Sequence, residues 1–351
     1  MDLNFLSSLN SRQLAIDLGT ANTLVYVPGE GIVVDEPSVI AVETVNGIDQ
    51  IRAVGTDAKL LMGRTGDNIR TLRPISAGII KDLDFAEKLI RHFIDKAIGG
   101  RPILSRGPEL VMGVPSASTD VERHVIHAAA LNAGAREAHL IEEPLAAAIG
   151  ADLPVDRPIG SMVVDIGGGT TEVAIIALKR LTYTASERVG GDKMDEAITA
   201  FMRTRHNMEI GPVTAERIKQ EVASAAVTDE GHAIVGHAGG RDVTTGALIE
   251  KEVSQAELAE ALQDVVQQIG AVVADALSHA GTEIASDIIS HGFVLTGGGA
   301  MLRNIDAVLR EATGLPVRLA DEPRHCVAIG AARAFTQHEY RTELHSTLGA
   351  L

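Results

Sequence analysis

Asp165-Ile166-Gly167-Gly168-Gly169-Thr170-Thr171 follows the apolar run Met162-Val163-Val164, and an earlier stretch, Asp17-Leu18-Gly19-Thr20-Ala21-Asn22-Thr23, follows Leu14-Ala15-Ile16. Each reads as a buried strand that ends on an aspartate, turns through glycine and hydroxyl residues, and enters a second β-branched strand. Such a hairpin suits a phosphate. Glycines let backbone N–H groups approach an anion closely, threonine hydroxyls add donors, and the aspartate can hold a hydrated divalent cation. Two such hairpins predict two related half-molecules closing on one nucleotide. Ordinary glycine turns would explain one copy, but the recurrence of Asp, Gly and Thr at matched offsets argues against that alternative.

At 351 residues the chain is too long for one core and suits two domains of similar size. With 45% hydrophobic and 22% charged residues it has the composition of a soluble globular protein rather than a disordered one. A net charge of −16 argues against a nucleic-acid surface and against purely electrostatic attachment to anionic lipid. Cys326 is the single cysteine, so an intramolecular disulfide and a thiolate zinc site are excluded. The sequence has no apolar run of membrane-spanning length, and MDLNFLSSLN lacks the basic start of a signal peptide, so a cytoplasmic protein is expected. Aromatic residues make up 3%, which leaves an aliphatic, alanine-rich core.

Strands are expected at 13–18, 23–28, 31–34 and 38–43, punctuated by Pro28-Gly29 and Asn46-Gly47. Phe85, Leu89, Ile90, Phe93 and Ile94 recur at helical spacing between Asp84 and Ile98. A strand over 109–114 and a helix capped at Thr119 or Asp120 and stopped by Gly134 come next. A short strand at 139–141 then leads through Glu142-Glu143-Pro144 into an alanine-rich helix. The second half repeats the opening with strands at 161–166, 171–178 and 181–187, then helices over 194–204 and 214–225. Residues 226–253 read as a small β-rich subdomain, and Ser254 with Glu257 as a capping box for a helix reaching about Ala280. A strand at 293–295 runs into Thr296-Gly297-Gly298-Gly299-Ala300, a helix starts near Met301, and a last helix spans 328–335. Strand and helix alternate as in an α/β sheet with crossover helices.

The third glycine cluster completes an order of parts, phosphate loop, connecting helix, phosphate loop, adenosine loop, connecting helix, that matches the ATPase core of the actin, heat-shock chaperone and sugar-kinase superfamily. Within it the chain resembles the MreB family of bacterial actin-like cell-shape proteins along nearly its whole length. The resemblance is carried by the two hairpin segments, by Glu36-Pro37-Ser38-Val39, Ile141-Glu142-Glu143-Pro144 and Val189-Gly190-Gly191-Asp192-Lys193-Met194-Asp195, and by Ala215-Glu216-Arg217-Ile218-Lys219 and Leu295-Thr296-Gly297-Gly298-Gly299-Ala300.

It implies an actin-like fold of two related α/β domains, 1–150 plus 325–351 and 151–324, with small subdomains near 34–70 and 190–253. ATP or ADP is the implied ligand, with Mg²⁺ held through water by Asp17 and Asp165 facing each other across the cleft. Gly19, Thr20, Ala21, Asn22, Gly167, Gly168, Gly169 and Thr170 would surround the phosphates, and Gly190 and Gly191 would close the phosphate side. Glu216 and Lys219, three residues apart on one helix face, would meet the ribose and base, with Gly297, Gly298, Gly299 and Ala300 beneath. Those two charges also read as an ordinary solvated pair. Glu143 is the candidate for orienting the attacking water, assisted by Thr170. A helix N-terminal carboxylate is the alternative reading, and Glu142 fits it better.

The resemblance further implies homopolymeric filaments, attachment to the inner face of the cytoplasmic membrane, and membrane wall-synthesis proteins as partners. Two membrane contacts are candidates: Met1, Phe5, Leu6 and Leu9 on one helical arc, and Ile103-Leu104 between Arg101 and Arg106, which also reads as the start of the next strand. The chain departs from the family pattern at Ala77, where an aspartate is usual, at Ser116-Ala117-Ser118-Thr119, and at His124. Competing functions are a filament that positions a plasmid or organelle, and a small-molecule kinase of the same fold.

Overall fold

Leu14, Ala15 and Ile16 are fully buried because the strand that carries them lies in the middle of a sheet with both faces covered. The computed structural model describes residues 12–66, 68–99, 107–227, 233–337 and 340–344. The chain divides into two units. One comprises Met1–Pro158, Ile176–Leu181 and Arg324–Leu351, and the other Ile159–Ile175 and Thr182–Pro323.

The first unit opens with β1 (Gln13–Leu18), β2 (Asn22–Val27) and β3 (Gly31–Pro37), an antiparallel meander. A small sheet follows from β4 (Ile40–Val45), β5 (Ile48–Val54) and β6 (Ile69–Leu72), with α1 (Thr56–Leu61) between the last two. Asn46 and Gly47 both take positive φ, 53° and 78°, the left-handed pair that matches a hairpin turn to strand twist. β7 (Ile75–Ser76) and β8 (Ile79–Ile80) make a minimal hairpin. In α2 (Leu83–Ala97) the Asp82 side chain accepts from the Phe85 N–H at 3.1 Å, and the five predicted apolar residues are the buried face.

β9 (Glu109–Val114) and β10 (Glu137–Glu142) flank α3 (Asp120–Asn132), whose Thr119 and Glu122 form a reciprocal capping box. The main sheet runs β10-β9-β1-β2-β3, with β9 and β10 parallel to β1. α4 (Glu143–Gly150) follows β10 directly.

The second unit repeats this plan. β11 (Ser161–Ile166), β12 (Thr171–Ala177) and β13 (Arg180–Glu187) stand where the first meander stood. Next come α5 (Gly191–Arg205), β14 (Met208–Glu209), α6 (Pro212–Val222), β15 (Val235–Asp242), β16 (Leu248–Ser254) and α7 (Gln255–Ser278). α8 (Thr282–His291), β17 (Phe293–Thr296), α9 (Ile305–Thr313) and β18 (Val317–Leu319) complete the unit, and α10 (Cys326–Thr336) returns to the first. The sheet order is β13-β12-β11-β17-β18, with β17 parallel to both β11 and β18. The two main sheets thus share one arrangement, a three-strand meander followed by two parallel strands.

Several boundaries differ from the sequence reading. α5 begins at Gly191, not Met194, because its first N–H groups find acceptors in the 167–168 turn. The helix expected at Met301 is a single 3₁₀ turn over Gly299–Met301, and α9 starts four residues later. Among the described residues no helix is long and apolar enough to cross a membrane.

Candidate functional site

In each unit the candidate residues collect at the carboxyl ends of parallel strands, where an α/β sheet leaves backbone groups and helix N-termini open to a ligand. In the first unit β1 ends at Asp17-Leu18 and β10 at Glu142. Ile16 and Leu140 both pair with Met112 of β9, so Asp17 and Glu143 stand at one edge of the sheet, two strands apart.

The β1–β2 turn is tight. An added Cβ at Gly19 would lie 2.6 Å from the Asn22 carbonyl oxygen, so the position takes only glycine without movement. Thr20 is buried, and its Oγ1 accepts from the Gly78 N–H at 3.3 Å. The turn is braced from beneath by Ser38, which the sequence reading quoted without a role. Its hydroxyl donates to the Gly19 carbonyl at 2.6 Å and shares a 2.8 Å hydrogen bond with Thr23 Oγ1, while its N–H donates to the Ala21 carbonyl at 3.0 Å. Asn22 donates from its amide to Asp35 at 2.9 Å, and Arg324 grips the same carboxylate with 2.8 and 3.0 Å contacts. One N–H of the Asn22 amide is therefore committed to the protein.

Glu143 lies over Gly113 of β9, where an added Cβ would be 3.0 Å from its Cγ. Glu142 is engaged differently, in an ion pair with Arg123 of α3 at 3.1 Å. Glu142 thus has its partner on α3, while Glu143 packs beside Gly113 of β9. His124 contacts the Asp120 carbonyl through Nδ1, on its own helix.

In the second unit the turn between β11 and β12 closes with the Gly167 N–H donating to the Thr170 carbonyl at 2.8 Å, and residues 167–170 are half-buried. Thr171 is fully buried and donates to the Val189 carbonyl at 2.7 Å. The turn rests on the start of α5. The N–H groups of Gly191 and Asp192 donate to the carbonyls of Gly167 and Gly168 at 3.0 and 2.8 Å, and an added Cβ at Gly190 would lie 2.7 Å from the Gly167 carbonyl oxygen.

Asp165 is 8% exposed and accepts from Thr296 Oγ1 at 2.7 Å. Burial pushes its carboxyl above the usual aspartate range, against the opposing effect of the Thr296 hydrogen bond. Gly297 takes φ of 85°, and its added Cβ would lie 2.9 Å from Asp165 Oδ1. Gly299 packs as closely on Ile166, so these two glycines let the third cluster lie against the end of β11. Gly298 is exposed, whereas Ala300 is buried in the core.

Lys219 is mostly buried. Its Nζ contacts Asp195 Oδ1 at 2.9 Å and donates to the Gly191 carbonyl at 2.9 Å, joining α6 to the first turn of α5. Glu216 is half-buried on the same helix and accepts from Gln220 at 3.3 Å. Asp195 and Thr296 were missed as site residues. Both lie within quoted segments, but their partners are far away in sequence or on another helix. The membrane candidates Met1, Phe5, Leu6, Leu9, Ile103 and Leu104 lie outside the described residues.

The MreB/Mbl protein family model matches residues 11–343. The chain is 48% identical over 330 residues to the cell shape-determining protein MreB of Pasteurella multocida, covering 93% of each chain. MreB5 of Spiroplasma citri bound to ADP superposes with a TM-score of 0.88 at 30% identity, covering 95% of this chain and 99% of that one. A chain of the MamK double helical filament matches with a TM-score of 0.78 at 20% identity over 93% and 99% of the two chains, which is a likeness of fold.

Proposed function

The chain belongs to the MreB/Mbl family, and from that premise we propose that it is a bacterial actin-like cytoskeletal protein whose filaments assemble with ATP and serve as a membrane-associated scaffold for cell shape and wall synthesis. The observation that carries the reading is the repeated hairpin at the carboxyl edge of two sheets of the same order, in a chain similar throughout to a protein solved with ADP.

In this proposal Gly19, Thr20, Ala21 and Asn22 and residues Gly167 to Thr170 bind the phosphates. Gly190 and Gly191 hold the second turn, and Glu216, Lys219 and the 297–300 segment take the adenosine. Asp17 and Asp165 fit a hydrated Mg²⁺: carboxylate oxygens are its preferred ligands, and a nearby cation would offset the burial that disfavours a charged Asp165. Bound there, the ion would neutralise phosphate charge. Glu143, at the carboxyl edge of the sheet that also carries Asp17, orients the attacking water, and Thr170 places a hydroxyl at the second turn. Hydrolysis then weakens assembly by changing which conformation the ligand favours. Many weak membrane contacts along a filament add by avidity.

The test is pelleting and negative-stain microscopy with Mg-ATP, with and without anionic liposomes, beside Glu143→Ala. Nucleotide-dependent filaments that accumulate on liposomes, with longer-lived filaments in the variant, are the expected result. No assembly despite ATP binding overturns the filament reading, and assembly unaffected by nucleotide overturns its dependence on ATP.

A further inference from the structure

A planar trans peptide sets its N–H opposite its C=O. No cis peptide occurs among the described residues, so the carbonyls of Gly167 and Gly168, drawn onto the first turn of α5, direct the N–H groups of Gly168 and Gly169 away from that helix. The direction in which the second hairpin offers its donors is therefore set by where α5 begins. An ammonium group braces that start. Lys219 Nζ reaches the Gly191 carbonyl at 2.9 Å, one residue from the Asp192 N–H that holds Gly168, and its other anchor is Asp195 Oδ1 at 2.9 Å, one turn further along α5. Both side chains of the pair are less than one-fifth exposed, at 15% and 17%, so solvent does little to screen it.

We propose that Asp195 is a positioning residue for the phosphate hairpin: by holding Lys219 against the Gly191 carbonyl it fixes the α5 start that aims the Gly168 and Gly169 amides at the ligand. This rests on the nucleotide reading above and gives it a residue that touches no ligand. Asp195 also makes the hairpin sensitive to acid. Burial pushes its carboxyl up to about 6, with Lys219 of α6 pulling it down and Glu216 of α6 and Asp192 of its own helix raising it. Protonation removes the charge that holds Lys219, so the donors lose their aim as pH falls through that value.

The experiment titrates wild type, Asp195→Asn, Lys219→Met and the double variant with a fluorescent ADP and, separately, with adenosine. Asp195→Asn keeps the shape and is expected to weaken ADP about tenfold, the worth of one charge-assisted contact, and adenosine by a smaller factor, that of the contact Lys219 itself makes with the nucleoside. The double variant should bind ADP no more weakly than Lys219→Met alone, because Asp195 acts through Lys219. Asp195→Glu, which keeps the charge, should recover part of the loss. Between pH 7 and 5 wild type should lose affinity relative to Asp195→Asn. Asp195→Asn binding ADP as well as or better than wild type, or losing ADP and adenosine alike, overturns the proposal. A wild-type protein that binds neither ligand overturns the nucleotide reading itself and this inference with it.

Discussion

At the scale of single residues, the chain uses two versions of one tight turn. Asn46-Gly47 and Ala77-Gly78 both place consecutive residues in the left-handed region, at φ of 53° and 78° and of 49° and 70°. Asparagine tolerates that conformation, whereas alanine brings its Cβ against the following carbonyl. Ala77 makes the turn a local cost this chain carries beside its first hairpin, since Gly78 donates to Thr20. Ala77→Asn should raise unfolding stability by about 0.5–1 kcal/mol in urea titrations, the relief of a left-handed non-glycine residue. An unchanged midpoint would show that the turn relaxes elsewhere.

Glu36 is a second case. Burial pushes its carboxyl up, but Lys96 and the Thr56 N–H, which donates at 3.1 Å, outweigh it and leave the group below the ordinary glutamate value of 4.5. A lowered folded pKa stabilises the native state above the unfolded value, and the contribution disappears as pH falls through the folded one. Glu36→Gln should therefore cost about 1–3 kcal/mol at pH 7, with the gap to wild type closing as pH falls from the ordinary glutamate value of 4.5 through the lowered folded one. A gap independent of pH would assign the loss to shape rather than charge.

At the scale of elements, α4 and α10 meet through their smallest residues. An added Cβ at Gly330 would collide with the carbonyl of Ala146, and one at Gly150 with the backbone of Cys326. The alanines that fill α4 and α10 are what such close contact requires, and every residue of α4 beyond Glu143 is buried. Gly330→Ala should destabilise by about 3 kcal/mol, because the obstacle is backbone and cannot swing aside. Gly281→Ala, at ordinary φ with open space around its Cβ, should change stability by less than about 1 kcal/mol, the chain entropy gained being offset by alanine's weaker N-capping. Equal effects of the two substitutions in denaturant melts would refute the packing argument.

The same contrast explains what could be read from sequence. β1, β9 and β11, the helix start at Thr119 or Asp120 and the capping box at Ser254 were legible because each signal lies within a few residues. α8 was missed because its glycine caps supply no side-chain signal, and the start of α5 because two glycines and an aspartate are poor helix formers whose cost is met by carbonyls of another turn. The Thr296–Asp165 bond spans 131 residues and has no local signature. The positions of the hairpins were legible, and the groups that brace them were not.

At the scale of the whole molecule, there are two sheets of one order, each with its own buried cluster and each ending in an aspartate hairpin. If one nucleotide draws on both hairpins, its stabilisation of the native chain depends on each of them. Ligand at a hundred times its dissociation constant stabilises by about 2.7 kcal/mol, enough to see as a rise in melting temperature. Mg-ADP should produce that rise in wild type and fail to produce it in either Asp17→Asn or Asp165→Asn. Without ligand the second variant should melt above wild type, since asparagine keeps an acceptor for Thr296 while removing a charge from a site 8% exposed. A rise abolished by only one substitution would mean that the other hairpin is an ordinary turn. Loss of the rise in both, with ligand-free stability kept, would make the repeat a single ligand-binding device divided between the two halves of the chain.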